Sequence, residues 1–406
     1  MEYEAYQLDN GIRVVHQRVP GVIAHVGLII NAGSRDERDH VHGVAHFIEH
    51  MVFKGTRKRK AYHVISRLED VGGEINAYTT KEETCVYTSF LKEDYSRALE
   101  LLKDIFFNSI FPEKEILREK EVIIDEINSY LDSPGELIFD DFEEQIFAGQ
   151  PIGRNILGTP QSLTKLSRQD ILKFLRDKYH TDEIVICSVG DIPPGRLRKS
   201  VEKHFSGIHG NFSKQTRSQP GEYKPDHVTS HKDTYQAHCI IGNIGYDLQH
   251  EKRIGLHLLN NIIGGPGLNS RLNMSLRERN GYSYHTESHF SPYSDTGIMS
   301  VYFSSDKSKL ERSLKVVLRE FARLRNNKLG TMQLHRGKRQ LLGQIAISSE
   351  NNETLMLSMA KSYLVYNKID SLDEIGKKID RISSEEIIEI ANEILDEQQL
   401  SSLTFI

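Results

Sequence analysis

Five consecutive residues, His46-Phe47-Ile48-Glu49-His50, combine side chains that bind a divalent metal with one that moves protons. In a helix, positions i, i+3 and i+4 share a face. His46, Glu49 and His50 then project together, while Val44, Phe47, Ile48 and Met51 point elsewhere and anchor the helix. Two imidazoles one turn apart can grip a single ion. A zinc ion with two histidines and one carboxylate keeps its fourth position for water, whose pKa falls to about 7. Glu49 is then placed to take a proton from that water and hand it to a leaving group. The pattern points to metal-assisted hydrolysis. Cys85, Cys187 and Cys239 are odd in number and far apart, so they indicate neither a thiolate metal site nor a disulfide framework, and buried structural thiols are expected.

The third metal ligand should be an acid on another helix. The segment 113–126 (EKEILREKEVIIDE) offers several, and such a run usually forms a charged outer face. Glu126, however, sits beside Ile123, Ile124 and Ile127, where solvation is poorer. Glu119 and Glu126 are seven apart and share a face, two turns from each other. One can bind the metal while the other orients a ligand through a hydrogen bond, and spacing alone does not say which.

The elements that must position these groups are legible in outline. Tyr6 and Leu8 precede Asp9-Asn10-Gly11, and Ile12, Val14 and Val15 follow, so the chain opens as a hairpin with Asn10-Gly11 supplying the positive-φ turn. A strand is expected over 25–31, a helix over 43–53 and a hairpin with strands at 74–80 and 84–91. Helices are expected over 95–107 and from Pro112 to about Leu131. Strands and helices alternate as far as 184–190. From about 206 to 232 apolar periodicity disappears among Gly, Ser, Asn, Gln and Pro, as in an interdomain linker. The expected division is 1–208, a linker at 209–232, and 233–406.

The second part repeats the first. With His46 set against His257, the segment 25–52 lies over 236–263 without a gap, and Leu28-Ile29-Ile30 falls on Cys239-Ile240-Ile241. Similarly, 116–126 can be laid over 334–344. The hydrophobic positions persist, but Glu49, His50 and Glu126 face Asn260, Asn261 and Gln344. The expected fold class is therefore α+β, with two homologous domains, each a mostly antiparallel sheet with helices packed on one side.

His-x-x-E-His is a metallopeptidase signature, and the chain resembles the pitrilysin/insulinase-type (inverzincin) zinc metallopeptidases, especially the mitochondrial processing peptidase-like subgroup. In that family the third ligand follows the second histidine by some 76 residues, and here 126 − 50 = 76. The resemblance covers essentially the whole chain. Its landmarks include Leu8-Asp9-Asn10-Gly11, Asn31-Ala32-Gly33-Ser34, and Pro151-Ile152-Gly153-Arg154 with Gly158. It implies one Zn2+ per chain held by His46, His50 and Glu126, with Glu49 as general base and Glu119 as supporting acid. Arg277 and Tyr284, seven apart, match the family's Arg/Tyr element, which completes the active site; Tyr282 departs from the aliphatic residue that many relatives carry. The segment 73–79 resembles the substrate-edge strand, with Asn76 and Ala77 as candidate peptide contacts.

The implied function is endopeptidase cleavage of peptides or unfolded segments inside a closed chamber, with a homodimer supplying the four domains. The rival is a non-catalytic or hetero-oligomeric subunit of a related peptidase complex. A net charge of −5 gives no reason to expect nucleic acid. The acidic start lacks signal-peptide character and no apolar run approaches the ~18 residues of a membrane span, so a cytoplasmic location is expected.

Overall fold

The structure, a computed structural model, describes residues 3–213 and 216–406. The first two residues of the acidic start and residues 214 and 215 of the expected linker lie outside the described residues. The chain forms two compact units. The first comprises Met1–Ile127, Ile156–Arg217 and Ala346–Ser371; the second comprises Asn128–Asn155, Ser218–Ile345 and Leu372–Ile406. Among the described residues no helix is long and apolar enough to cross a membrane.

The first unit is built on six strands: β1 (Glu4–Gln7), β2 (Arg13–Arg18), β3 (Ile23–Ile30), β4 (Glu74–Thr79), β5 (Thr84–Leu91) and β6 (Ile184–Gly190). Their order is β1-β2-β6-β3-β5-β4. All neighbours are antiparallel except β2 and β6. In the opening hairpin only Gly11 takes a positive φ, at 94°. Asn10 instead earns its place by its side chain, whose Nδ2 donates to the carbonyls of Phe205 and Ile208 at 2.9 and 3.1 Å. Helices Val44–Met51 and Tyr95–Asn108 close one face of the sheet over a core that includes Phe47, Leu99 and Leu102.

The sheet's other face is covered as well. Helix Asn352–Tyr366 lays Met356, Met359 and Ala360 on Val15, Ile29, Val185 and Cys187. That is why β6 is buried along its whole length and reads as an apolar run, not an alternation. All three cysteines are buried and free, in keeping with a structural role.

The second unit repeats the arrangement with β7 (His227–Ser230), β8 (Ala237–Gly245), β9 (Ser283–Pro292), β10 (Gly297–Ser305) and β11 (Ser401–Phe405). The order is β7-β11-β8-β10-β9, with β7 parallel to β11 and every other pair antiparallel. This is the order and sense of β2-β6-β3-β5-β4. Helix Thr331–Ser349 follows helix Glu113–Leu131 by 331 − 113 = 218 residues and has the same length. By the same offset, helix Asn352–Tyr366 is the counterpart of helix Pro134–Ile146 (352 − 134 = 218). These two counterparts are exchanged. Helix Pro134–Ile146 belongs to the second unit, where Leu137, Ile138 and Phe142 pack on Ile240, Tyr302, Leu403 and Phe405.

The α+β class and the paired sheets agree with the sequence reading, and the exchanged helices add a second covered face to each sheet. The units are discontinuous, where the sequence reading drew two continuous spans. β7 lies within the span expected as linker. Four mostly exposed residues carry no apolar signal, and their partners in β11 lie 402 − 227 = 175 residues further along the chain.

Because Phe142 is fully buried in the second unit, Phe142→Ala is expected to cost about 3–5 kcal/mol. Hydrogen exchange should place the lost protection in β8, β10 and β11 and leave β3 and β6 protected. His257 gives a pH prediction. Burial, then the charge of Arg253, push its imidazole down to about 4 from an ordinary 6.5. The unfolded chain therefore binds the extra proton, so its contribution is complete above about pH 6.5 and falls away as the pH drops towards 4. Urea melts of metal-free protein at pH 7 and pH 5 should show His257→Asn losing about 2 kcal/mol less than wild type over that interval.

Candidate metal centre

The His-x-x-E-His segment folds as the helix Val44–Met51, with Val44, Phe47, Ile48 and Met51 in the core. Its opposite face brings His46 and His50 together, their ring centroids 4.6 Å apart at 61°. Helix Glu113–Leu131 delivers Glu126 to the same place. One Glu126 carboxylate oxygen, Oε2, lies 3.9 Å from His46 Nε2 and 3.6 Å from His50 Nε2. One ligand atom from each of the three lies within 4.8 Å of the others, the separation that an ion can draw in.

Glu119 takes a different position. Its Oε1 accepts from His50 Nδ1–H at 3.0 Å, and its Oε2 lies 2.7 Å from Lys54 Nζ. A carboxylate only accepts hydrogen bonds, so this contact puts the His50 proton on Nδ1 and leaves the Nε2 lone pair facing Glu126. Burial works to raise the Glu119 carboxyl. The hydrogen bonds from His50 and Lys54 outweigh it and hold the group below the usual carboxylate range. Spacing had left Glu119 and Glu126 interchangeable; geometry separates them.

The electrostatics suit a cation. Burial, then the proximity of His50, push the His46 imidazole down to about 3, so it stands neutral with a lone pair available at neutral pH. Its Nδ1 is buried without a hydrogen-bond partner among the described residues. Three converging ligand groups, two imidazoles and one carboxylate, with the Glu49 carboxyl beside His50, fit a divalent ion. Burial also raises Glu49, while Thr79 and His50 offset part of the rise. A carboxylate made more basic than usual is better suited to receive a proton.

Asn76 and Ala77 lie on β4, which ends the sheet order, so its outer edge has no strand partner among the described residues. Asn76 is exposed and Ala77 half-buried. Thr79 at the end of the same strand neighbours Glu49, which ties the edge to the base. Arg277 and Tyr284 belong to the second unit. Arg277 lies on a π-helical segment, Asn273–Arg279, 3.6 Å from Glu278, and Tyr284 near the start of β9 is 80% exposed.

The sequence reading missed three neighbours of the first-unit group. Lys54 lies four residues after His50 and was findable from helix spacing. Thr79 ended the quoted edge-strand segment without being singled out. Tyr179, whose phenol is raised by burial and by the nearby charge of Glu49, carries no local signal, because only the folded chain brings it there.

Comparison with known proteins gives the family and the fold. A model of the insulinase family (peptidase family M16) matches residues 13–160, and a model of the peptidase M16 inactive domain matches residues 165–341. The chain is 32% identical over 399 residues to the uncharacterized zinc protease YmxG of Bacillus subtilis, covering 98% of this chain and 97% of that one. An uncharacterized zinc protease of Rickettsia bellii is also 32% identical, over 99% of this chain and 97% of its own. Among solved structures, a protease from Helicobacter pylori superposes with a TM-score of 0.92 at 21% identity, covering 100% of this chain and 99% of that one. A peptidase M16 inactive domain from Pseudomonas fluorescens gives 0.93 at 19% identity, covering 100% and 98%. These two share the fold. With both family models matched in order and relatives aligned from end to end, the chain belongs to the insulinase family of peptidases, family M16.

Proposed function

We propose that this protein is a zinc-dependent endopeptidase that hydrolyses peptides or unfolded polypeptide segments. The observation that carries the reading is the convergence of His46, His50 and Glu126 beside a half-buried Glu49. A zinc ion held by the three would supply a Lewis acid that polarises a carbonyl and acidifies water. The rest belongs to the chain. Glu49, made more basic by burial, receives the proton of the attacking water and returns it to the departing amine. Glu119 keeps the His50 proton on Nδ1. The free edge of β4 takes an extended substrate as an added strand at Asn76 and Ala77, so main-chain hydrogen bonds give affinity with little dependence on side chains.

In the same reading Arg277 holds the substrate backbone and the exposed Tyr284 hydroxyl stabilises the developing oxyanion. A homodimer in which these residues serve the metal group of a partner, around a closed chamber, is the economical assembly, because one chain carries both elements. Such a chamber selects substrates by size and flexibility.

Metal analysis together with cleavage of a quenched peptide tests the reading. Purified wild type should hold about one zinc per chain and lose activity to a chelator. Glu49→Gln should keep the zinc and lose about 10²–10⁴-fold in kcat/KM. Chelator-insensitive cleavage, or full activity in Glu49→Gln, would overturn the mechanism. A folded, zinc-loaded monomer without activity would favour the subunit alternative. Glu119→Gln should weaken zinc binding about 10–100-fold in a chelator competition, because the His50 tautomer is then no longer held.

A further inference from the structure

The helix that carries His46, Glu49 and His50 has only eight residues, Val44–Met51, too few to hold a helix without outside support. It also has no cap of its own. Its N-cap is Gly43, with φ of 93° and no side chain to accept the first-turn N–H groups. A larger residue is excluded there. A Cβ on Gly43 would stand 2.8 Å from the Leu157 carbonyl oxygen and 2.9 Å from Gly158 Cα. Ser, Thr, Asp and Asn, which ordinarily cap helices, are thereby shut out.

The acceptor comes from six residues earlier. Glu37 Oε2 accepts from the Gly43 N–H at 2.7 Å, and Oε1 accepts from the Ala45 N–H at 2.8 Å. Glu37 is 5% exposed, so both bonds are shielded from water, and its charge lies at the positive end of the helix. Ala45 immediately precedes His46. A carboxylate gripping the first turn at two points restrains both the rotation of the helix and its position along its axis.

The segment that holds Glu37 is itself anchored to the β4–β5 hairpin. The Ser34 and Arg35 N–H groups donate to the Thr80 and Lys81 carbonyls at 3.1 and 2.8 Å. Arg35 pairs with Glu82 at 2.6 Å, and Asp36 pairs with Arg217 at 2.8 Å. Thr79, one residue before this hairpin tip, is the neighbour of Glu49. The four residues 34–37 therefore touch the metal helix through Glu37 and the hairpin tip that follows the free-edge strand through residues 34 and 35.

We propose that Glu37 is a positioning residue: by capping the Val44–Met51 helix from the turn that also holds the hairpin tip, it sets the register of His46, Glu49 and His50 against Glu126 and β4. The inference rests on the metal-centre reading above. A purely stabilising role would make Glu37 equivalent to the other buried charges of its segment, and this gives the control.

Glu37→Gln keeps the shape and one acceptor oxygen but turns an amide N–H2 towards a backbone N–H. Arg217→Met removes the buried ion pairs with Asp36 and Glu82 and leaves both Glu37 bonds to the helix in place. In chelator competition with zinc, Glu37→Gln should lose about tenfold or more in affinity, while Arg217→Met stays within about twofold of wild type whatever its loss of melting temperature. Hydrogen exchange on the metal-free proteins should speed up at residues 43–46 in Glu37→Gln only. With peptide, Glu37→Gln should lower kcat and leave KM nearly unchanged, and Glu37→Asp, which keeps the charge, should recover part of the loss. Wild-type zinc affinity and exchange in Glu37→Gln would overturn the proposal, as would equal losses in Arg217→Met. If wild type binds zinc yet cleaves no peptide, the peptidase reading falls, while the zinc and exchange comparisons still judge Glu37.

Discussion

A buried imidazole that lacks a hydrogen-bond partner on one nitrogen is an unfavourable thing to build, and among its described residues the first unit builds one at His46. Its proton affinity is so reduced that the ring stays neutral well into acid. That single constraint organises the surroundings. His50 must present a lone pair beside it, so Glu119 takes the proton side of the ring, and Lys54 keeps Glu119 anionic enough to do so. Glu126 must arrive from a different helix, because a two-turn helix has no further position on that face for a third donor. Charge, tautomer and helix placement are thus parts of one requirement: three electron-pair donors facing a common point, with little positive charge around them.

The second unit shows what happens to the same frame when the requirement lapses. Its sheet has the same order and sense, and its helices recur in the same succession, because these features depend on apolar positions that both halves keep. At the positions of Glu49, His50 and Glu126 stand Asn260, Asn261 and Gln344, and Gly337 stands where Glu119 would be. Amides hold shape without titrating. Asn260, for instance, donates to the Ser288 carbonyl and so ties its helix to β9. Fold and chemistry are separable here within one chain, as expected when hydrophobic pattern specifies the layers and a few polar positions specify the site.

The exchanged helices qualify the picture of two simple repeats. Helices Pro134–Ile146 and Asn352–Tyr366 are counterparts, and each is counted with the unit built mainly from the other half of the sequence. Their apolar faces meet the sheet faces that the expectation of helices on one side had left uncovered. A residue string tells which positions want burial but not which of two similar surfaces will bury them, and two related sheets of equal strand order offer nearly equivalent choices.

Much was readable directly. The sharing of one face by His46, Glu49 and His50 follows from helical periodicity, a local property that no tertiary contact alters. The strands of the two hairpins follow from alternation, and the duplication follows from superposing the text. What the sequence could not decide depended on distance through space. Glu119 and Glu126 are equivalent by spacing and became distinct only when one met Nδ1 of His50 and the other met both Nε2 atoms. β7 has no apolar signal and exists because β11 lies beside it. Glu37 reads as an ordinary charge in a polar loop until the chain folds back and gives it two N–H groups to accept. Local periodicity is written in the regular repeat along the chain, whereas hydrogen-bond partners outside that repeat, whether six residues away as for Glu37 or 69 away as for His50 and Glu119, are chosen by the packing of the whole unit.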